Sequence, residues 1–62
     1  MSNIRIIRIQ QKLTQKQLAE KTGLSRQTIN TIETGKYQAK LQTIKKIAQA
    51  LNTDIIQLIQ GE

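Results

Sequence analysis

Along almost the whole chain, apolar residues recur at the three- and four-residue spacing of a helix. The first helix is expected over about residues 3–11, where Ile4 and Ile7 share one face with Arg8 beside them. Ile6 lies off that face and is expected to point outward. Proline is absent, and interior glycines are expected to mark the breaks between elements.

The second helix has a clear start and a clear end in the sequence. Thr14 is predicted as its N-cap, and Gln17 stands at the capping-box position three residues later. The helix is expected to run through Lys21 and to end at Gly23, a residue suited to a left-handed C-terminal position.

A third helix is expected over residues 26–34, with Ser25 as its N-cap and Gly35 after its end. One side of this helix carries Ile29 and Ile32, which indicates that it packs against the rest of the chain. Its other side is rich in amide, hydroxyl and guanidinium groups, whereas a merely solvated surface is more usually Glu and Lys.

The remaining apolar residues form one stripe on a fourth helix. Its members are Leu41, Ile44, Ile47, Ala48 and Leu51. Asn52 is a plausible left-handed stop, and Asp54 is predicted to cap a last helix over 55–59. Five helices this short are unstable alone, so they must share a core. The expected fold class is all-α, in one domain covering residues 1–62.

The second and third helices carry the spacing that suggests a function. Ala19, Gly23, Ile29 and Ile32 stand at offsets 0, +4, +10 and +13. A small residue allows close helix crossing, glycine allows a sharp turn, and two isoleucines fix the third helix to the core. This spacing predicts a helix-turn-helix at about residues 14–34, the arrangement whose second helix enters the DNA major groove. Any helical bundle can contain such a corner, so the spacing alone leaves DNA binding open.

The polar face of the third helix favours DNA. Its candidate base-contacting residues are Arg26, Gln27, Asn30 and Thr31. Arginine suits guanine O6 and N7, Gln or Asn suits adenine N6 and N7, and threonine suits a thymine methyl group. At 100° per residue, Gln27, Thr31 and Thr34 are expected to point away from Ile29 and Ile32.

Charge supports a polyanionic partner. The chain has 62 residues, ten Lys and Arg against four Asp and Glu, and a formal net charge of +6. Such an excess favours nucleic acid or an anionic membrane surface, although it also occurs simply as a solubility charge. With one Tyr and no Phe or Trp, the chain is poorly suited to stacking the bases of single strands.

Composition argues against an enzyme and against a metal or other cofactor. Cysteine and histidine are absent. The acids show no paired spacing; they are Glu20, Glu33, Asp54 and Glu62. No apolar run has the length of a signal peptide core or a membrane span, so we expect a cytoplasmic protein. The basic residues are spread over several short helices, which argues against a membrane partner. The short chain offers no sensor domain, so we expect no small-molecule ligand.

The stretches "LTQKQLAEKTGLSRQTINTIETGKY" and "LQTIKKIAQAL" resemble the Cro/CI-type, or xenobiotic-response-element, helix-turn-helix regulators. The resemblance covers residues 4–59 and implies a compact five-helix lambda-repressor-like fold that binds double-stranded DNA. It implies that Gln15 contacts phosphate and braces the recognition helix. The candidate phosphate-contacting residues are Gln15, Lys16, Ser25, Thr34, Lys36, Tyr37 and Lys40.

The chain departs from the family pattern at two places. Lys12 stands where the family often has glycine. Ala39 and Lys40 stand where it often has a Pro-Ser-like pair, so the fourth helix lacks an obvious N-cap. The loop that contains Lys36, Tyr37 and Lys40 can also be an ordinary solvated loop.

Glu33 is an unusual residue for a helix that meets phosphates. Its helical angle places it beside the inward face, where a carboxylate needs a cationic partner. The family pattern pairs it with Arg8, and we expect this ion pair to tie the first helix to the third.

The resemblance also implies a repressor that reads a palindromic operator as a homodimer, at least on DNA. Ile55, Ile56 and Ile59 of the last helix are the candidate two-fold contact, although they can also be ordinary core residues. An alternative is a partner-binding module, such as the antitoxin of a toxin–antitoxin pair, which uses the same fold and binds a different protein.

Overall fold

The computed structural model describes residues 3–59, so the predicted domain ends, residues 1–2 and 60–62 with Glu62, lie outside the described residues. Within the described part, the chain forms five helices and no strand. The helices are α1 Asn3–Gln10, α2 Gln15–Thr22, α3 Arg26–Glu33, α4 Leu41–Ala50 and α5 Ile55–Ile59. The all-α, five-helix prediction is therefore confirmed.

Local side-chain hydrogen bonds explain where α2 begins. Thr14 Oγ1 accepts a hydrogen bond of 3.0 Å from the backbone N–H of Gln17. In return, Gln17 Oε1 accepts a hydrogen bond of 2.8 Å from the backbone N–H of Thr14. The predicted capping box is confirmed, and it satisfies two helix N–H donors that would otherwise lack a protein partner.

The starts of α4 and α5 are weaker. Lys40 precedes α4 and makes no side-chain cap hydrogen bond. This lack of a cap was expected, because Lys40 stands where the family often has serine. Asp54 Oδ1 accepts only a long hydrogen bond of 3.4 Å from the backbone N–H of Ile56. Asn52 has the predicted left-handed backbone, with φ at 52°.

A small apolar core holds the helices together. Among residues 3–59, four large side chains are fully buried: Leu18, Ile29, Ile47 and Leu51. Helix α2 packs against α3 and α4, α1 packs against α3 and α5, and α4 packs against α5. Because α3 touches both α1 and α2, its position is set from two sides.

Leu41 is an exception to the predicted apolar stripe on α4. The sequence placed it in the core with Ile47, but its side chain is 57% exposed. Helical side chains lean toward the N-terminus, and Leu41 is the first residue of α4, so it leans past the end of the packed region. It lines an apolar depression instead, which it shares with Tyr37 and Ile59.

Lys12 has a backbone conformation that suits glycine. Its φ is 61°, in the left-handed region, where the Cβ atom of other residues costs about 1–2 kcal/mol. We expect Lys12→Gly to raise the free energy of unfolding by about 0.5–1 kcal/mol, because the strain is removed and part of the gain is lost to a more flexible unfolded chain. Urea unfolding measures this change.

The matched control for Lys12→Gly is Lys21→Gly. Lys21 is exposed in the last turn of α2, where glycine is expected to lower the free energy of unfolding by about 1 kcal/mol. If both substitutions destabilise the protein to the same extent, the strain at residue 12 is not relieved by glycine.

Candidate nucleic-acid interface

The turn between α2 and α3 sets the angle of the second helix. Gly23 has φ at 75°, a left-handed conformation that ends α2. Two residues later, Ser25 Oγ accepts a hydrogen bond of 3.0 Å from the backbone N–H of Thr28 and so caps α3. Both features were predicted from the sequence, and together they fix where α3 starts.

Helix α3 has one buried side and one exposed side. Ile29 is fully buried, and Ile32 is only 7% exposed. On the other side, Arg26, Gln27 and Asn30 are exposed. Three of the four predicted base-contacting side chains, Arg26, Gln27 and Asn30, are therefore exposed.

Thr31 departs from the predicted outward orientation. It is half-buried, and its hydroxyl donates a hydrogen bond of 2.9 Å to the backbone carbonyl of Thr28. The carbonyl of Thr31 also accepts hydrogen bonds from the backbone N–H groups of Lys36 and Tyr37, at 3.1 and 3.2 Å. The chain after α3 folds back over this turn, and the Thr31 hydroxyl already has an intramolecular partner.

A buried ion pair joins α1 to α3. Arg8 Nε donates a hydrogen bond of 2.7 Å to Glu33 Oε2, and Arg8 Nη2 donates one of 3.1 Å to Glu33 Oε1. The two side chains are only 10% and 2% exposed. Arg8 Nη1 also donates a 2.6 Å hydrogen bond to the carbonyl of Leu13. This bidentate geometry holds the end of α3 against α1.

Gln15 connects that ion pair to the surface. Its amide nitrogen donates a hydrogen bond of 3.1 Å to Glu33 Oε1 and one of 3.2 Å to Asn30 Oδ1. The first residue of α2 therefore contacts α3 in two places. This is the bracing position that the family resemblance implied for Gln15.

Three further predicted phosphate-contacting residues, Lys16, Lys36 and Tyr37, lie beside α3. Lys16, Lys36 and Lys40 are exposed, as is Tyr37, with 44% of its surface accessible. Lys16 lines a shallow depression with Gln15 and Arg26, whereas Lys36 and Tyr37 line another beside Thr31. Lys16 thus borders the start of α3, and Lys36 lies beside Thr28 and Thr31.

The hydroxyl groups in the predicted phosphate set already have intramolecular partners. Ser25 Oγ lies 2.8 Å from Thr28 Oγ1, besides capping the helix. Thr34 Oγ1 donates a hydrogen bond of 3.2 Å to the carbonyl of Thr31. Both residues are exposed.

Sequence reasoning missed Arg5. Its side chain is exposed and lines a depression with Asn30, Glu33 and Thr34 on the α1 side of the third helix. The sequence contained a signal for Arg5. It lies one helical turn before Arg8, and the family resemblance places Arg8 against Glu33 of α3.

The last helix presents two of its three candidate isoleucines. Ile56 is 52% exposed and Ile59 is 53% exposed. Ile55 is half-buried and packs against the core. Tyr37 and Leu41 are exposed near Ile59, around the same apolar depression.

Known proteins share this combination of helices and turn. The helix-turn-helix family model matches residues 4–58, which include all of α2 and α3. The chain belongs to the Cro/CI-type helix-turn-helix family. This family consists of DNA-binding transcriptional regulators rather than enzymes, as the sequence predicted. No helix among residues 3–59 is both long and apolar enough to cross a membrane.

Individual members of the Cro/CI-type family are similar over most of this chain. An immunity repressor protein of Bacillus phage phi105 is 41% identical over 59 residues, which are 95% of this chain and 41% of that protein. This chain therefore spans less than half the length of the phage repressor.

Two solved structures of helix-turn-helix proteins superpose closely. The restriction-modification controller protein C.AhdI from Aeromonas hydrophila is 32% identical, with a TM-score of 0.88 over 90% of this chain and 85% of that one. The hypothetical transcription factor NHTF from Neisseria is 32% identical, with a TM-score of 0.87 over 92% of this chain and 64% of that one.

Proposed function

We propose that this protein is a sequence-specific transcriptional regulator, a repressor that binds a palindromic operator in double-stranded DNA as a dimer. Helix α3 enters the major groove, where Arg26, Gln27, Asn30 and Thr31 meet base edges. Because the proposed partner is duplex DNA, the proposal includes a cytoplasmic location. The proposal includes no cofactor and no small-molecule ligand.

The observation that carries this proposal is the two-sided construction of α3. Its inner side is held by the buried Ile29 and by the Arg8–Glu33 ion pair, in which Arg8 Nε and Glu33 Oε2 are 2.7 Å apart. Its outer side offers exposed groups that form directed hydrogen bonds. A rigid helix with such a face can discriminate base pairs, because a misplaced donor loses its hydrogen bond.

Selection of duplex DNA from a random pool tests this function. We expect enrichment of a site with two-fold symmetry, whose half-sites lie about one helical turn, or about 10 base pairs, apart. Binding without any enriched sequence would contradict the proposal.

Phosphate contacts are expected to supply much of the affinity and to make it depend on salt. With about 4–6 phosphate contacts per subunit, the logarithm of the association constant should fall steeply with the logarithm of the salt concentration. Each contact contributes about −0.9 to that slope. Lys36→Gln is expected to weaken binding to all sequences alike and to reduce that slope by about 1 per subunit.

The control for Lys36→Gln is Lys45→Gln, because Lys45 is an exposed lysine on α4 rather than beside α3. Titration of both variants at two salt concentrations separates a local contact from loss of net charge. An equal change of slope in the two variants would contradict a phosphate contact at Lys36.

The exposed isoleucines of α5 are proposed to form the two-fold contact. We expect Ile56→Lys to change the free energy of unfolding by less than about 0.5 kcal/mol, because Ile56 is 52% exposed. The variant should bind a duplex with two half-sites little better than a duplex with one. Titration of both duplexes measures the loss of dimer binding.

Ile9→Lys is the matched control, since Ile9 is 53% exposed on α1 and the substitution adds the same charge. It should keep the preference for two half-sites. If Ile56→Lys also keeps that preference, α5 is not the dimer contact, and the exposed isoleucines are better explained by a different protein partner, as in the antitoxin alternative.

A further inference from the structure

Arg5 of α1 is an exposed cation that makes no ion pair or hydrogen bond with another side chain among residues 3–59. The carboxylate that borders the same depression, Glu33, already receives two hydrogen bonds from Arg8. Two guanidinium groups therefore stand against one carboxylate, and the depression keeps an uncompensated positive charge. A guanidinium in this state is suited to an anion with several acceptor oxygens, such as phosphate.

The depression beside Arg5 opens along one side of α3. Asn30 and Thr34 line it, and both are exposed residues of the helix-turn-helix face. Helix α1 reaches this side because the Arg8–Glu33 ion pair holds it against α3. The free charge of Arg5 therefore lies beside the proposed base-contacting helix, although Arg5 belongs to an element outside the helix-turn-helix.

Lys36 lies on the other side of α3. It lines a second depression with Thr28 and Thr31, and it is exposed. At 3.6 residues per turn, residues two apart such as Thr28 and Asn30 lie about 160° apart around the helix axis. Asn30 borders the depression of Arg5, and Thr28 borders that of Lys36. The two cations thus flank α3 from nearly opposite sides.

A helix that lies in the major groove has one DNA backbone on each side. The helix with its side chains is about 10–12 Å across, and the groove is about 12 Å wide, so the helix fills it. Groups that flank the two sides of the helix therefore face phosphates of different strands.

We propose that Arg5 binds a backbone phosphate of one DNA strand, while Lys36 binds a phosphate of the opposite strand across the same stretch of major groove. The DNA-binding surface then includes α1 as well as the helix-turn-helix and the loop after it. Contacts on both strands fix how α3 is tilted in the groove, so Arg5 is a positioning residue for base recognition. This inference rests on the proposed function.

The salt dependence of binding tests whether Arg5 contacts phosphate. Arg5→Gln should weaken binding to the selected operator by about two- to fivefold per half-site, the size of an exposed ion pair. It should also reduce the slope of log association constant against log salt concentration by about 1 per subunit. Arg5→Lys keeps the charge and should keep most of the slope. Thermal unfolding checks that each variant remains folded.

The control for the loss of net charge is Lys45→Gln, which removes one exposed charge from α4. Its effect on affinity and slope should be clearly smaller than that of Arg5→Gln. An equal effect of the two substitutions would show that Arg5 contributes only through the net charge of the protein, and would overturn the inference.

Operators in which a single phosphate is replaced by an uncharged methylphosphonate identify the strand. One such replacement should weaken binding of the wild type by about two- to fivefold and leave binding of Arg5→Gln unchanged, because the contact is already lost. A replacement on the opposite strand should behave in the same way for Lys36→Gln.

Two further results overturn this inference alone. In the first, Arg5→Gln stays as sensitive as the wild type to every replacement. In the second, the replacements matched to Arg5 and to Lys36 fall on the same strand. A wild-type protein that enriches no operator contradicts the proposed function itself, and this inference with it.

Discussion

Glu33→Ala is expected to lower the free energy of unfolding by about 3–5 kcal/mol. The substitution leaves the guanidinium of Arg8 buried without its counter-ion, which is the costly way to break a buried pair. A domain of this size has a total stability of roughly 3–9 kcal/mol, so much of the protein should be unfolded at 37 °C. Urea unfolding followed by circular dichroism measures the loss.

Glu20→Ala is the control for this prediction, because Glu20 is an exposed acid on α2 and should change stability by less than about 0.5 kcal/mol. The double substitution Arg8→Met with Glu33→Leu should recover a large part of the loss, since neither charge is then buried alone. A loss below about 1 kcal/mol for Glu33→Ala would show that the pair behaves as an exposed one.

Arg26→Ala is expected to have the largest effect on operator binding. A bidentate arginine–guanine contact discriminates by about 1–3 kcal/mol, and a dimer makes the contact in both half-sites, so the combined loss is about 2–6 kcal/mol. Arg26 is exposed at the start of α3 and lies outside the core, so the variant should remain folded. Titration of the selected operator and of a scrambled duplex measures the effect.

Two control variants distinguish base recognition by Arg26 from the effect of its charge on DNA binding. Arg26→Lys keeps the charge but loses the two-pronged geometry, so it should recover only part of the affinity for the operator. Lys45→Ala removes one exposed charge on α4 and should weaken the operator and the scrambled duplex to a similar, small extent. If Arg26→Ala weakens both duplexes equally, Arg26 contacts phosphate and not a base.

Short-range signals made most of the fold predictable. Thr14 with Gln17, Ser25 and Gly23 are each recognisable from one or two neighbours, and each acts in the structure as its local chemistry requires. Leu41 shows the limit of the apolar pattern. Helical spacing says which face a residue shares, but it does not say whether another helix extends far enough to cover that residue.

The candidate site was predictable in its residues but not in its contacts. Arg8 and Glu33 are 25 positions apart, and only the family resemblance paired them before the structure placed them in contact. The contact of Gln15 with Asn30 depends on how α2 crosses α3, which no local rule gives. Arg5 was missed although its spacing from Arg8 was a local signal, and its place beside α3 follows from the packing of α1.

The proposed function requires that the outer face of α3 recognises base pairs, and a substitution at Gln27 is its decisive test. Gln27 is exposed on that face, and the structure gives it no part in the core. Random-pool selection is performed on the wild type and on Gln27→Ala. We expect Gln27→Ala to select the same operator with the base preference relaxed at one position in each half-site. An unchanged preference at every position would contradict the claim that this face reads the sequence.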